Sequence, residues 1–170
     1  VIKGEEDQQA KDFNITEEMR LQYAPFFYRL FAFLGQPGYS VMDFGDFLSV
    51  IILDTDHTNS IDGPQLQWLE ETLSARQKTK HIIPVYHVPE YPSHRSYDGA
   101  TQVRVREHFV PLFEKYGIKV AFENHDHAYK RTHPIKAGEV VGKNEGIVYI
   151  GDGAWGQKVR PTHQDAWYLA

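Results

Sequence analysis

The chain has 170 residues, with 18 Lys and Arg against 23 Asp and Glu, which gives a formal net charge of −5. This length predicts one domain, and no segment approaches the ~20 consecutive apolar residues that a transmembrane helix requires. The 41% of hydrophobic residues suffices for a packed core, while a negative charge without a basic stripe argues against nucleic-acid binding. The chain contains no Cys, which excludes disulfides and thiolate chemistry, so any metal ligands must be His or carboxylate side chains.

Strand and helix patterns alternate along the chain. In order, the sequence predicts a helix at 15–33, strands at 39–44 and 47–53, a helix from 62 to about 75, a strand at 81–86, a helix at 103–116, and strands at 118–122, 139–141 and 146–150. The first helix should begin at the capping box Asn14–Glu17, and the helix after it should have Asp62 as its N-cap. The run Val50–Leu53 is expected to be buried on both faces. The alternation predicts an α/β fold with a mostly parallel sheet.

Three His residues follow two of the predicted strands. His87 comes directly after the strand at 81–86, whereas His125 and His127 follow the strand at 118–122. Since the carboxyl ends of parallel strands meet at one edge of a sheet, the three side chains should converge there. Imidazole nitrogens bind zinc, iron and copper, so the sequence predicts part of a metal site.

Two segments that contain these His residues resemble motifs of a known family. The segment His125–Pro134 is similar to the last metal motif of the calcineurin-like metallophosphoesterases, in the form found in purple acid phosphatases. Val85–Tyr91 resembles the preceding motif of the same family, in which a strand leads to a His-x-Pro-x-Tyr loop. The resemblance runs from about Tyr39 to Trp155. It implies half of a metallophosphoesterase-type β-sandwich flanked by helices, with a mostly parallel or mixed sheet.

The resemblance implies a phosphatase that uses two metal ions (iron, zinc or manganese) and a hydroxide that bridges them to hydrolyse a phosphoester. His87 and His125 would bind one ion and His127 the other. His94 is the candidate catalytic residue, which would bind a phosphate oxygen or protonate the leaving alcohol. Tyr129 and Arg131 would contact the substrate or support the loop that carries His125 and His127, which we call the ligand loop.

Other polar residues at the same edge are assigned a structural or supporting role, and these are Asp54, Asp56, His57 and Asp152.

Several family features are missing from the chain. It contains neither an Asp-x-His nor a Gly-Asn-His motif, and Lys130 replaces the usual Glu of the last motif. We therefore expect residues 1–170 to be the carboxyl-terminal part of one metallophosphoesterase domain, whose amino-terminal part supplies the remaining ligands. The isolated part should bind metal weakly and hydrolyse a phosphoester slowly.

Alternative functions remain open at this point. The chain could be a non-catalytic binding or scaffold domain of the same fold, or a phosphodiesterase or nucleotide hydrolase. The expected substrate is a small phosphoester or a phosphoprotein, with neither a nucleic acid nor a membrane as partner. A secreted or periplasmic location is suggested by the resemblance alone.

Overall fold

The structure is a computed structural model, and it describes residues 18, 19, 22, 26, 38–151, 153, 154, 156–163 and 165–170. The predicted helix at 15–33 lies almost entirely outside the described residues, and Asp152 lies outside them too. The elements are β1 (Ser40–Phe44), β2 (Leu48–Ile52), α1 (Pro64–Ala75), β3 (His81–Tyr86), α2 (Ala100–Lys115), β4 (Val120–Glu123), β5 (Lys130–Arg131), β6 (Ile135–Lys136), β7 (Glu139–Val140) and β8 (Val148–Gly151).

Six strands form one mixed sheet in the order β1-β2-β3-β4-β8-β5. The four inner strands β2, β3, β4 and β8 are parallel, whereas β1 and β5 pair antiparallel at the two edges. Strands β6 and β7 form a separate two-stranded sheet. The predicted α/β class with a mostly parallel or mixed sheet is confirmed, and the carboxyl ends of β2, β3 and β4 lie at one edge.

The core lies between the two helices and one face of the six-stranded sheet. Its fully buried side chains include Ile51 of β2, Leu69 and Leu73 of α1, and Phe109 and Phe113 of α2. Burial alternates along β2: its odd-numbered residues are buried and its even-numbered residues are half-buried. The alternation arises because successive side chains of a strand point to opposite faces of the sheet, and the odd-numbered side chains face the helices. The expectation that Val50–Leu53 is buried on both faces is therefore wrong for the described part of the chain.

Helix α1 does not begin with an Asp62 cap. Its N-cap is Gly63, with φ 76°, and Pro64 occupies the first helical position, where proline is favoured because its fixed φ suits a helix. Asp62 instead forms an ion pair with Arg104 of α2 at 2.9 Å. The helix ends at Ala75, as predicted.

Helix α2 begins three residues earlier than predicted, at Ala100, and β4 begins two residues later, at Val120. The strand starts late because the backbone N–H of Ile118 donates to the carbonyl of Phe113 at 2.9 Å, which closes the end of the helix. Gly117, with φ 71°, allows this turn. Among the described residues, no helix has the length and apolar character needed to cross a membrane.

Candidate metal centre at the sheet edge

The loops after β3 and β4 are fastened to each other at the carboxyl edge of the sheet. The backbone N–H groups of Asn124 and His125 both donate to the carbonyl of His87, at 3.1 and 2.9 Å. The side-chain amide of Asn124 donates to the carbonyl of Tyr86 at 3.0 Å. These bonds fix the position from which each His side chain leaves the backbone.

The structure brings His87 and His125 together, as the order of the strands predicts. Nδ1 of His125 lies 2.8 Å from Nε2 of His87, and the two rings meet edge to face with centroids 4.7 Å apart. Burial lowers the pKa of both imidazoles to about 4, and the positive charge of Arg95 contributes further at His125. Both rings are therefore neutral at neutral pH, which is the state in which an imidazole can bind a metal ion.

A third imidazole lies beside this pair. The ring of His57, in the loop after β2, meets the ring of His87 edge to face at a centroid distance of 5.1 Å. Nδ1 of His57 lies 3.6 Å from the carboxylate of Asp54, and this nearby negative charge raises the pKa of His57. The sequence analysis places His57 at this edge, and its contact with His87 is compatible with the predicted structural or supporting role, which stays a prediction.

Asp54 is the buried centre of the loop that carries His57. Its carboxylate accepts hydrogen bonds from the backbone N–H groups of His57, Thr58 and Asn59, at 2.8, 2.9 and 3.0 Å. These bonds favour the charged carboxylate, and the pKa of Asp54 is lowered despite its burial. The structural role predicted for Asp54 is confirmed.

His127 occupies a turn rather than an extension of the strand. Its backbone has φ 53°, in the left-handed region, and its carbonyl accepts a hydrogen bond from the backbone N–H of Arg160 at 3.2 Å. Within the part of the chain that the structure describes, no hydrogen bond or ring contact joins His127 to His87 or His125. The assignment of His127 to a second metal ion stays a prediction.

Asp126, between the two His residues, joins the ligand loop to the loop after β3. Its buried Oδ2 accepts from the backbone N–H groups of Ser93 and His94, at 2.5 and 2.9 Å. Asp126 is not among the site residues predicted from the sequence. No pattern in the sequence identifies it, because its partners are 32 and 33 residues away.

The predicted catalytic residue His94 lies in this second loop. Its Nδ1 is 2.8 Å from the carbonyl of Pro161, and its own carbonyl lies 2.7 Å from Nε2 of His163. Tyr129 is 70% exposed, and Arg131, in β5, is also exposed. None of these three side chains has a hydrogen bond to His87 or His125 among the described residues, so their roles stay predictions.

The residues present supply part of a metal site. Two imidazole nitrogens that bind one ion at about 2.1 Å stand about 3.0 to 3.4 Å apart, for ligand angles between a right angle and the tetrahedral angle. His87 and His125 are hydrogen-bonded to each other at 2.8 Å, so an ion would replace this hydrogen bond and move the two nitrogens slightly apart. Both donors are neutral and reachable from solvent. Across the described residues, however, no group of three or more His, Cys, Asp or Glu side chains is arranged to hold an ion. The pair fits a metal ion as two of its ligands, and further ligands are needed to complete the site.

Comparisons with known proteins support the resemblance seen in the motifs. No family model matches the chain. The chain is 32% identical over 101 residues to purple acid phosphatase 18 of Arabidopsis thaliana, which covers 58% of this chain and 22% of the relative. It is 32% identical over 90 residues to Fe(3+)-Zn(2+) purple acid phosphatase 12 of the same plant, which covers 51% of this chain and 19% of the relative.

The fold matches that of a solved structure of the same group. The purple acid phosphatase PPD1 from yellow lupin (Lupinus luteus) seeds aligns with a TM-score of 0.66 and 21% sequence identity, over 78% of this chain and 26% of that chain. The predicted resemblance to purple acid phosphatases is confirmed. This chain spans about a fifth of the length of the two plant relatives.

Proposed function

We propose that the protein containing this chain is a phosphatase that hydrolyses phosphoesters with a pair of metal ions. The observation that carries the proposal is the pair of neutral imidazoles, His87 and His125, held 2.8 Å apart at the carboxyl edge of a sheet with the purple acid phosphatase fold. The similarity to acid phosphatases over about half of the chain supports the same class of activity.

His87 and His125 would hold one metal ion and His127 the second. When bound, such a pair of ions supplies the Lewis acidity and the activated water that phosphoester hydrolysis requires. Iron, zinc and manganese all accept imidazole nitrogen, and one relative carries iron and zinc in its name.

The chain's own contribution is to hold these imidazoles in position and uncharged. The two N–H donors to the carbonyl of His87 lock the loops together, and partial desolvation lowers the pKa of both rings to about 4. A preorganised ligand pair of this kind needs little reorganisation when the ion binds.

His94 is the proposed donor to a phosphate oxygen or to the leaving alcohol. Since Pro161 offers a carbonyl oxygen, Nδ1 of His94 must carry the proton and donate to it. That bond leaves Nε2 as the nitrogen that can contact the substrate, and Nε2 donates in the imidazolium form of the ring, in which both nitrogens carry a proton. Tyr129 and Arg131 are proposed to line the approach of the substrate, because both are exposed beside the ligand loop.

The proposed substrate is a small phosphoester or a phosphoprotein. The remaining ligands, which must include carboxylates to offset the charge of two cations, would come from the part of the protein outside this chain. The proposal therefore concerns the whole protein.

The test is hydrolysis of an aryl phosphate by the full-length protein, with and without a chelator. His125→Ala should lower kcat/KM at least about 100-fold, because it removes a metal ligand. The matched control is His133→Ala, an exposed His in the same segment, which should leave the rate unchanged. Activity that survives both the chelator and His125→Ala would refute the proposal, and a complete lack of activity in the wild type would favour the scaffold alternative.

A further inference from the structure

We propose that Arg160 binds an anionic group of the phosphoester substrate. This inference rests on the proposed function and adds to it a recognition residue that lies outside both metal motifs. Arg160 belongs to the segment Arg160–His163, which follows the last strand and which the sequence analysis left without a role.

The segment is fastened to both loops of the candidate metal centre. The backbone N–H of Arg160 donates to the carbonyl of His127 at 3.2 Å, and the carbonyl of Pro161 lies 2.8 Å from Nδ1 of His94. The backbone N–H of His163 donates to the carbonyl of Ser93 at 2.6 Å. Arg160 is therefore held beside the loop that carries His125 and His127.

The guanidinium of Arg160 has an unused donor. Its Nη1 is buried and has no hydrogen-bond partner within the described residues. None of the ion pairs between described residues includes Arg160. A buried charged donor without a partner is unfavourable, because it has lost its water without gaining another acceptor. Arg160 as a whole is half-buried, so a rotation of its guanidinium toward the open side would bring this donor to a ligand oxygen.

The local charge favours an anion as that ligand. The positive charges of Arg95 and Arg160 both act on His125, and they are opposed there by the Asp126 carboxylate. Oδ2 of Asp126 is already occupied by Ser93 and His94, whereas its buried Oδ1 has no partner. Two arginines therefore stand against one carboxylate beside the ligand loop. A guanidinium in such surroundings suits a phosphate or a carboxylate.

The anion has two possible sources, which an experiment separates. It is either the phosphoryl group that is transferred or a second anionic group on the leaving alcohol. We compare wild type, Arg160→Gln, Arg160→Lys and Lys158→Gln in the full-length protein. Lys158→Gln is the matched control, since it removes the same charge from an exposed position two residues away.

The first readout is independent of turnover. Binding of inorganic phosphate is measured by NMR titration in the presence of a chelator, and Arg160→Gln is expected to weaken it about 10- to 100-fold, the range of a lost charge-assisted hydrogen bond. Arg160→Lys should restore part of the affinity, because it keeps the charge. This binding measurement requires no hydrolysis, so it gives the same result whether or not the protein is a phosphatase.

The second readout is kcat/KM for phenyl phosphate and for the same ester with a carboxylate on its ring. An equal loss for both substrates in Arg160→Gln assigns Arg160 to the transferred group, and a loss confined to the carboxylate ester assigns it to the second anion. The inference is overturned if phosphate binding and both kcat/KM values in Arg160→Gln stay within twofold of those in Lys158→Gln, with thermal unfolding unchanged.

Discussion

A buried ion pair explains why Lys130 replaces the Glu expected in the last motif. Lys130 and Glu123 are 4% and 1% exposed, and Nζ of Lys130 donates both to Oε2 of Glu123 and to the carbonyl of Tyr91. The backbone N–H of Glu90 donates to Oε1 of Glu123 at 2.8 Å. A Glu at position 130 would place a second carboxylate against Glu123, in a site from which water is excluded.

Lys130→Met should therefore destabilise the protein strongly. The substitution keeps the length of the side chain but leaves the Glu123 carboxylate buried without its cation, and breaking a buried pair in this way costs about 3–5 kcal/mol. For a domain of this size, that loss lowers Tm by roughly 10 °C. The measurement is thermal and urea unfolding of the full-length protein.

Two further variants separate the ion pair from general effects of substitution. Lys136→Met, at an exposed position of β6, should change the free energy of unfolding by less than about 0.5 kcal/mol. The double variant Glu123→Gln with Lys130→Met should recover much of the loss, since neither charge is then left alone. A loss below about 1 kcal/mol in Lys130→Met, or a double variant less stable than the single one, would refute the reasoning.

Two other predictions concern the same edge of the sheet. Burial and the nearby Glu123 carboxylate raise the pKa of Glu90 well above its ordinary value of 4.5, so the folded state keeps a proton that the unfolded state releases. The free energy of unfolding should therefore fall as pH rises above about 4.5. Urea unfolding between pH 5 and 8 should show that this free energy depends less on pH in Glu90→Gln than in the wild type. The same dependence on pH in both proteins would contradict the prediction. A Cβ at Gly153 would lie 1.5 Å from the carbonyl oxygen of Asn124, so Gly153→Ala must displace the loop that carries His125. If the protein has the proposed phosphatase activity, we expect kcat/KM to fall at least about tenfold, whereas Ala154→Ser should leave it within twofold. An unchanged kcat/KM in Gly153→Ala would show that the position of this loop is unimportant for the activity.

The sequence alone determined most of the elements and the edge at which the candidate site lies, but it predicted neither β5 nor β6, and it began β8 two residues too early. The strand pattern at 81–86 matches β3 residue for residue, and the hairpin of β1 and β2 lies within one residue of its predicted position. The meeting of His87 and His125 followed from strand order, because a parallel sheet leaves little freedom in where its strand ends lie. The motifs around these two residues also indicated the resemblance to purple acid phosphatases that the comparisons support.

Only the tertiary structure decided which loop residues meet. The contact of His57 with His87, the hydrogen bonds of Asp126 to Ser93 and His94, and the buried pair of Glu123 with Lys130 join side chains from different loops and strands. The approach of Arg160 to the ligand loop depends on backbone hydrogen bonds of the same kind. Periodicity in a sequence reports which face of an element is buried, but it contains no information on how irregular loops fold against each other, since those conformations are set by hydrogen bonds between residues far apart in the chain.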